Sequence, residues 1–71
     1  MKKNKFLNLI SKSLGKKISD NSKFEIDSLN VLQIVEFNNV NFKGFKINPE
    51  QLLTCSSTKD LLKLYKDKVV L

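Results

Sequence analysis

The sequence has no histidine, no arginine and no tryptophan, and it contains one cysteine, one proline and two glycines. The absence of histidine excludes the pairs in which a histidine activates a serine or cysteine nucleophile. Because Cys55 is the only cysteine, an internal disulfide and a Cys/His zinc site are also excluded. We expect Cys55 to fill the core as a small apolar side chain.

Long apolar runs are missing as well. No segment approaches the ~20 apolar residues that a membrane-spanning helix requires. The first residues, MKKNKFLNLI, are basic, but their apolar part is too short and too interrupted by asparagine for a signal peptide. A length of 71 residues fits one domain. We therefore predict a cytoplasmic protein that has no membrane span and forms a single domain over residues 1–71.

Positive charge is the main compositional bias. Thirteen lysines oppose seven acidic residues, which gives a net charge of +6 and permits an anionic partner. A small basic helical domain that binds nucleic acid is therefore one interpretation. Against it, the lysines are spread over both ends of the chain, arginine is missing, and the aromatic residues fall mostly in apolar stripes. We favour an interpretation without nucleic acid.

The first half of the chain predicts two long helices separated by a loop. The first helix has Gly15 as its C-terminal cap and an apolar stripe made of Phe6, Leu7, Ile10 and Leu14. Residues 16–26 are predicted to form a loop that Phe24 and Ile26 attach to the core. Asp27 is a good N-cap for a second helix that begins near Ser28 and ends between residues 42 and 44.

The pattern of the second helix also predicts how its faces are directed. Ile26 and Val31 are placed for a hydrophobic staple at its start. The residues expected to face inward are Leu29, Leu32 and Val35, with Ile34 as a further candidate. The residues expected to face water are Asn30, Gln33, Asn38, Asn39 and Asn41.

Two further helix starts follow. In INPEQLL, Asn48 is predicted to cap a short helix whose first residue is Pro49. In SSTKDLLKLYKDKVVL, Ser57 and Asp60 resemble a capping box, and the apolar stripe of the fourth helix consists of Leu61, Leu62, Tyr65 and Val69. The fold predicted is all-α, a small four-helix bundle with three long helices and one short helix.

The tripeptide Asp27-Ser28-Leu29 stands at the predicted start of the second helix, after a long loop. In this context, and with the pattern DSLNVLQIV, the chain resembles the acyl carrier protein family, which includes the peptidyl carrier domains. Phe42 falls where carriers usually have the aromatic residue that closes this helix, and Ile47 leads into the short third helix as in the family. The resemblance covers about residues 24–65 and implies a single carrier domain of acyl-carrier-protein type.

The resemblance implies that Ser28 is the attachment site of 4′-phosphopantetheine. A phosphopantetheinyl transferase would move this arm from coenzyme A onto the serine hydroxyl. The thiol of the arm would carry an acyl or aminoacyl group as a thioester, loaded by a ligase, synthase or acyltransferase. The chain itself would catalyse no reaction, and its simplest state is a monomer.

Two neighbours of Ser28 also receive roles from the resemblance. Asp27 would hold the turn and help to organise the metal-bearing complex with the transferase, while Leu29 would lie beside the arm and offer apolar contact to a partner. An acyl chain could be enclosed by Val31, Leu32, Val35, Leu61 and Leu62. For these five residues, ordinary core packing is the stronger interpretation.

The chain departs from the family pattern in two respects. Carriers commonly read Gly-x-Asp-Ser-Leu, whereas this chain has Glu25 in place of the glycine. The segment from Ser28 to Phe42 holds one acid, Glu36, and no lysine, unlike the acidic helix of housekeeping fatty-acid carriers. We expect a specialised carrier rather than the general fatty-acid carrier. A carrier-like interaction domain that is never modified is the remaining alternative.

Overall fold

The computed structural model describes residues 1–70 and folds them into four α-helices. Helix α1 spans Lys3–Leu14, α2 spans Ser28–Asn41, α3 spans Pro49–Leu53 and α4 spans Thr58–Leu64. The predicted all-α class and the order of the helices are confirmed. The expectation of three long helices is wrong, because α4 has only seven residues. Within residues 1–70, no helix is both long enough and apolar enough to cross a membrane.

The chain that follows α4 runs beside the start of α1. The backbone N–H of Val70 donates to the Met1 carbonyl at 2.7 Å, and the N–H of Lys3 donates to the Val70 carbonyl at 2.9 Å. The ammonium group of Met1 donates to the carbonyl of Lys68 at 3.0 Å. These bonds tie the two ends of the described chain together. Between α4 and Val70 the chain forms turns, in which the N–H groups of Lys68 and Val69 both donate to the carbonyl of Tyr65 at 2.9 Å.

Helix α1 ends at Gly15, as predicted. The backbone of Gly15 has a φ of 67°, in the left-handed region, and its N–H donates to the carbonyl of Ser11. A side chain at this position would strain the backbone, because residues other than glycine rarely adopt this conformation. The four apolar residues of the predicted stripe are all buried: Phe6, Leu7, Ile10 and Leu14.

Helix α2 is rotated relative to the prediction. Leu29 and Leu32 were expected to face inward, but they are 62% and 67% exposed. Ile34 is fully buried, and Asn38 was expected to face water but is only 2% exposed. The buried residues of α2 are Asn30, Val31, Ile34, Phe37 and Asn38. Both sides of α2 carry apolar residues, so its hydrophobic spacing alone does not select the buried side.

The two buried asparagines of α2 have hydrogen bonds that compensate part of their burial. Asn30 accepts from the backbone N–H of Asp27 and donates to the Gln33 side chain. The side-chain amide of Asn38 donates to the carbonyl of Phe45. Both ends of the Asn30 amide have partners, so the cost of its burial is compensated. The side-chain oxygen of Asn38 is buried and has no partner within residues 1–70, so its burial is compensated only in part. The prediction that these two asparagines face water is wrong.

The loop at residues 16–26 is attached to the core and to α4. Ile26 is buried and Phe24 is half-buried, which confirms the expectation that they hold the loop. Ile18 is also buried, and its N–H donates to the hydroxyl of Ser11 at 2.9 Å. The N–H of Phe24 donates to the carbonyl of Ser56 at 2.9 Å. The loop therefore enters α2 from a fixed direction.

Tyr65 lies at the centre of an aromatic cluster in the core. Its ring centroid is 4.9 Å from that of Phe6, 5.4 Å from that of Phe42 and 5.5 Å from that of Phe45. Phe42 is the C-cap of α2, so the predicted place of this aromatic at the end of the helix is confirmed. Through Tyr65, the cluster joins α1, the end of α2 and the segment after α4.

Candidate functional site

A reciprocal pair of hydrogen bonds between Asp27 and Asn30 caps the start of α2. The carboxylate of Asp27 accepts a hydrogen bond from the backbone N–H of Asn30 at 2.8 Å, which confirms the predicted N-cap. The side chain of Asn30 accepts in return from the N–H of Asp27 at 3.3 Å. An N-cap of this kind stabilises a helix by about 1 kcal/mol. Ile26 and Val31 are both buried on either side of the cap, as the predicted staple requires.

Ser28 is the first residue of α2, and its side chain is exposed. The side-chain hydrogen bonds of the cap are made by Asp27 and Asn30, so they do not engage the serine hydroxyl. The first backbone N–H groups of a helix lack intrahelical partners, and the helix dipole adds positive potential there. An anionic group attached to the Ser28 oxygen would therefore lie in favourable surroundings.

Lys16 brings a positive charge to the same place. Its ammonium group donates to the carbonyl of Glu25 and to the side-chain oxygen of Asn30, each at 3.3 Å. The spacing of fourteen residues between Lys16 and Asn30 crosses a loop, so no periodic pattern in the sequence indicated this contact. Lys16 supports the cap, and sequence reasoning missed both this contact and the part of Asn30 in the cap.

Glu25 causes no backbone strain in the position where carriers commonly have glycine. Among residues 1–70, only Gly15 and Gly44 have a positive φ. The backbone of Glu25 is therefore in a region that any residue adopts, and the tight glycine turn is not needed for Asp27 to cap α2. The side chain of Glu25 is exposed.

The outward side of α2 carries an apolar surface. We call Leu29, Leu32 and Val40 the α2 patch; their side chains are 62%, 67% and 69% exposed. Leu29 was predicted both to face inward and to offer contact to a partner, and its exposure fits the second role alone. Glu36, also exposed, is the only charged residue of α2.

The predicted wall of an acyl cavity is not assembled. Leu32 is exposed on the α2 patch, whereas Val31 and Leu61 are buried in the main core. Val35 and Leu62 are partly buried against the same core, so the five residues differ in burial and do not all face one interior space. Val31 and Leu61 therefore act as ordinary core residues.

The starts of α3 and α4 have structural caps. Asn48 accepts from the N–H of Glu50 at 2.9 Å, as predicted. Ser57 accepts from the N–H of Asp60, but the carboxylate of Asp60 accepts from Ser56 rather than from Ser57. The predicted capping box is thus correct in one direction and wrong in the other. Its carboxylate reaches one residue further back along the chain.

Cys55 is buried, as expected for a core filler. Burial, with a smaller effect from the charge of Asp60, raises the pKa of the Cys55 thiol to about 11. Since the thiolate is the reactive form, this thiol is protected from reaction near neutral pH. Cys55 does not contribute to the site at Ser28.

The described chain is thus a small all-α domain in which an exposed serine begins a well-capped helix. The same helix presents an apolar surface beside that serine. No protein-family model, no curated protein and no solved structure matches this chain.

Proposed function

We propose that this protein is an acyl carrier protein whose Ser28 carries a 4′-phosphopantetheine arm. The observation on which the proposal depends is the exposed side chain of Ser28 at the first position of α2. The Asp-Ser-Leu motif supports it from the sequence, and the cap formed by Asp27 and Asn30 supports it from the geometry. Cargo would be an acyl or aminoacyl group bound as a thioester.

The attachment reaction defines what this chain must supply. The Ser28 oxygen would form a bond to the phosphorus that bears the pantetheine group of coenzyme A. The bond from that phosphorus to the bridging oxygen of the diphosphate would break, and adenosine 3′,5′-bisphosphate would leave. The proton of the serine hydroxyl would go to a base of the phosphopantetheinyl transferase. The chain's part is to hold Ser28 accessible at the positive end of α2.

Asp27 and Leu29 have supporting roles in this proposal. Asp27 fixes the first turn through its hydrogen bond to the N–H of Asn30, and its exposed position leaves it accessible to the transferase. Leu29 follows Ser28 directly and is exposed, so it can contact a partner enzyme beside the arm. With one acid on α2, the protein is proposed to serve a specialised pathway rather than general fatty-acid synthesis.

Mass spectrometry tests the proposal directly. The purified protein is incubated with coenzyme A and a broad-specificity phosphopantetheinyl transferase. We expect the intact mass to increase by one phosphopantetheine group, and Ser28→Ala should abolish the increase. Ser56→Ala, which removes another exposed serine, is the matched control and should leave the increase unchanged. Equal modification of the wild type and of Ser28→Ala would contradict the assignment of Ser28.

One observation favours a second candidate function, an unmodified interaction domain. The α2 patch would contact a partner in the same way whether or not Ser28 carried an arm. The two functions differ in the mass experiment. An unchanged mass with several transferases, including that of the host, would favour the interaction domain.

A further inference from the structure

Lys16 connects the loop after α1 to the first turn of α2. Its ammonium group donates to the backbone carbonyl of Glu25, near the end of that loop, at 3.3 Å. The same ammonium group donates to the side-chain oxygen of Asn30, in the first turn of α2, also at 3.3 Å. The segment 25–30, which contains Ser28, is therefore held at both ends by one side chain.

Asn30 links Lys16 to the backbone that precedes Ser28. Its side-chain oxygen also accepts from the backbone N–H of Asp27, at 3.3 Å. An ammonium group only donates, so Lys16 favours the orientation of the Asn30 amide in which the oxygen, rather than the NH2 group, lies toward Asp27. The NH2 group donates to Gln33, whose own amide can turn to donate or accept and so does not fix this orientation. Loss of Lys16 would weaken the bond to the N–H of Asp27.

The charges around Lys16 indicate that it acts through these hydrogen bonds rather than as a site for anions. Glu25 and Asp27 are exposed acids of the same segment. Their carboxylates offset the charge of Lys16, so this lysine attracts a phosphate group only weakly. Asn30, in contrast, is 6% exposed, so water competes little for the hydrogen bonds of its amide.

We infer that Lys16 is a positioning residue for the modification of Ser28. By holding the Glu25 carbonyl and the Asn30 amide, it keeps the backbone on both sides of Ser28 in one geometry. The serine oxygen is then presented to the transferase in one orientation. The inference rests on the proposed function, because the reaction that Lys16 serves is the attachment of the phosphopantetheine arm. In this role Lys16 contacts neither coenzyme A nor the transferase.

Single-turnover kinetics test this role, with the transferase and coenzyme A in excess over the protein. Lys16→Met keeps most of the length of the side chain and removes its donors. It should lower the maximal rate constant about fivefold, as expected for the loss of one hydrogen-bonded charge, and leave the half-saturating transferase concentration unchanged. Lys17→Met, which removes the same charge from the next exposed residue, is the matched control and should leave both quantities unchanged.

Two kinetic results would overturn the inference. One is an equal maximal rate constant for the wild type and for Lys16→Met. The other is a change confined to the half-saturating concentration, because that result would mean that Lys16 binds the transferase directly.

A double-mutant cycle tests whether Lys16 acts through Asn30. Asn30→Ala should lower the maximal rate constant by itself. Adding Lys16→Met should then cause a smaller loss than it causes in the wild type, because the bond between the two side chains is already missing. Losses that are independent of each other would overturn the inference.

NMR spectra of the unmodified ¹⁵N-labelled protein give a readout that needs no transferase and does not depend on the folding of Asn30→Ala. In Lys16→Met, the side-chain amide signals of Asn30 should shift, and the backbone N–H of Asp27 should exchange with water about threefold faster. Lys17→Met should change neither. Unchanged Asn30 and Asp27 signals in Lys16→Met would overturn the inference.

The outcomes separate this inference from the proposed function. Modification of Lys16→Met at the wild-type rate overturns the inference and still supports the proposed function. A wild type that no transferase modifies contradicts the proposed function and, with it, the role of Lys16; the NMR shifts would then report a structural contact alone.

Discussion

At the scale of single residues, Tyr65 shows a polar group held in an apolar core without compensation. Its side chain is fully buried, and among the described residues its hydroxyl has no hydrogen-bond partner. An unsatisfied buried hydroxyl costs about 1–3 kcal/mol. We predict that Tyr65→Phe keeps the aromatic contacts and increases the free energy of unfolding by about 1 kcal/mol. Urea denaturation would measure the change, and a loss of stability would show that the hydroxyl has a partner.

Cys55 predicts how stability depends on alkaline pH. Burial raises the pKa of its thiol from an ordinary value near 9 to about 11. Above pH 9 the unfolded chain loses this proton while the folded protein retains it, so stability is complete below pH 9 and decreases as the pH rises towards 11. Burial also raises the pKa of Tyr65, which acts in the same direction.

Denaturation curves for the wild type and for Cys55→Ala, recorded from pH 7 to about pH 10.5, isolate the thiol contribution. The wild type should lose more stability over this interval than Cys55→Ala does. The two curves share the titration of the lysines and of Tyr65, so these contributions cancel in the difference. Parallel curves would contradict a raised thiol pKa.

At the scale of the helices, the rotation of α2 predicts opposite effects for two neighbouring apolar residues. Leu32 is exposed and Ile34 is fully buried. Leu32→Ser should change the free energy of unfolding by no more than about 0.5 kcal/mol, whereas Ile34→Ala should reduce it by about 2–5 kcal/mol. Thermal unfolding followed by circular dichroism would compare the two variants. A larger cost at Leu32 would mean that α2 faces the core with its other side.

The helix ends could be predicted from the sequence because capping depends on a few adjacent residues. Gly15, Asp27 and Asn48 each satisfy backbone groups within four residues of themselves, and all three were predicted correctly. The position of Ser28 at the start of α2 follows from the same local rule. The position of Ser28 behind the Asp27 cap could therefore be predicted from the sequence, whereas the return bond from the N–H of Asp27 to the Asn30 side chain was missed.

Features that depend on distant residues could not be predicted in this way. The pairing of Val70 with Met1 joins opposite ends of the described chain, so no local pattern in the sequence indicates it. Leu29 and Ile34 lie on opposite sides of α2 and are both strongly apolar, so the sequence of the helix does not show which side is buried. The elements that pack against α2 select that side. The contact between Lys16 and Asn30 depends on the path of the loop between them.

At the scale of the whole molecule, few of the lysines are paired with an acidic side chain. The net charge is +6, and within residues 1–70 the only salt bridge joins Lys3 to Asp20 at 3.1 Å. Sodium chloride screens repulsion between exposed charges that lie more than ~10 Å apart at 0.1 M. We predict that raising sodium chloride from low concentration to about 0.2 M increases Tm by a few degrees.

Scanning calorimetry would measure this salt effect. The variant Lys63→Glu with Lys66→Glu, which reverses two exposed charges on and after α4, provides the comparison. Its Tm should increase less with salt, because less repulsion remains to be screened. A Tm that falls with salt in the wild type would show that attractive pairs outweigh the repulsion.

The central claim is that Ser28 carries a phosphopantetheine arm, and the most direct test uses the protein as its own cells produce it. The protein is purified from the native host and digested, and the peptide containing Asp27, Ser28 and Leu29 is analysed by tandem mass spectrometry. Our account predicts a phosphopantetheine group, free or with a thioester-bound cargo, attached to the Ser28 oxygen. A fully unmodified peptide, from cells in which other carriers are modified, would contradict the account.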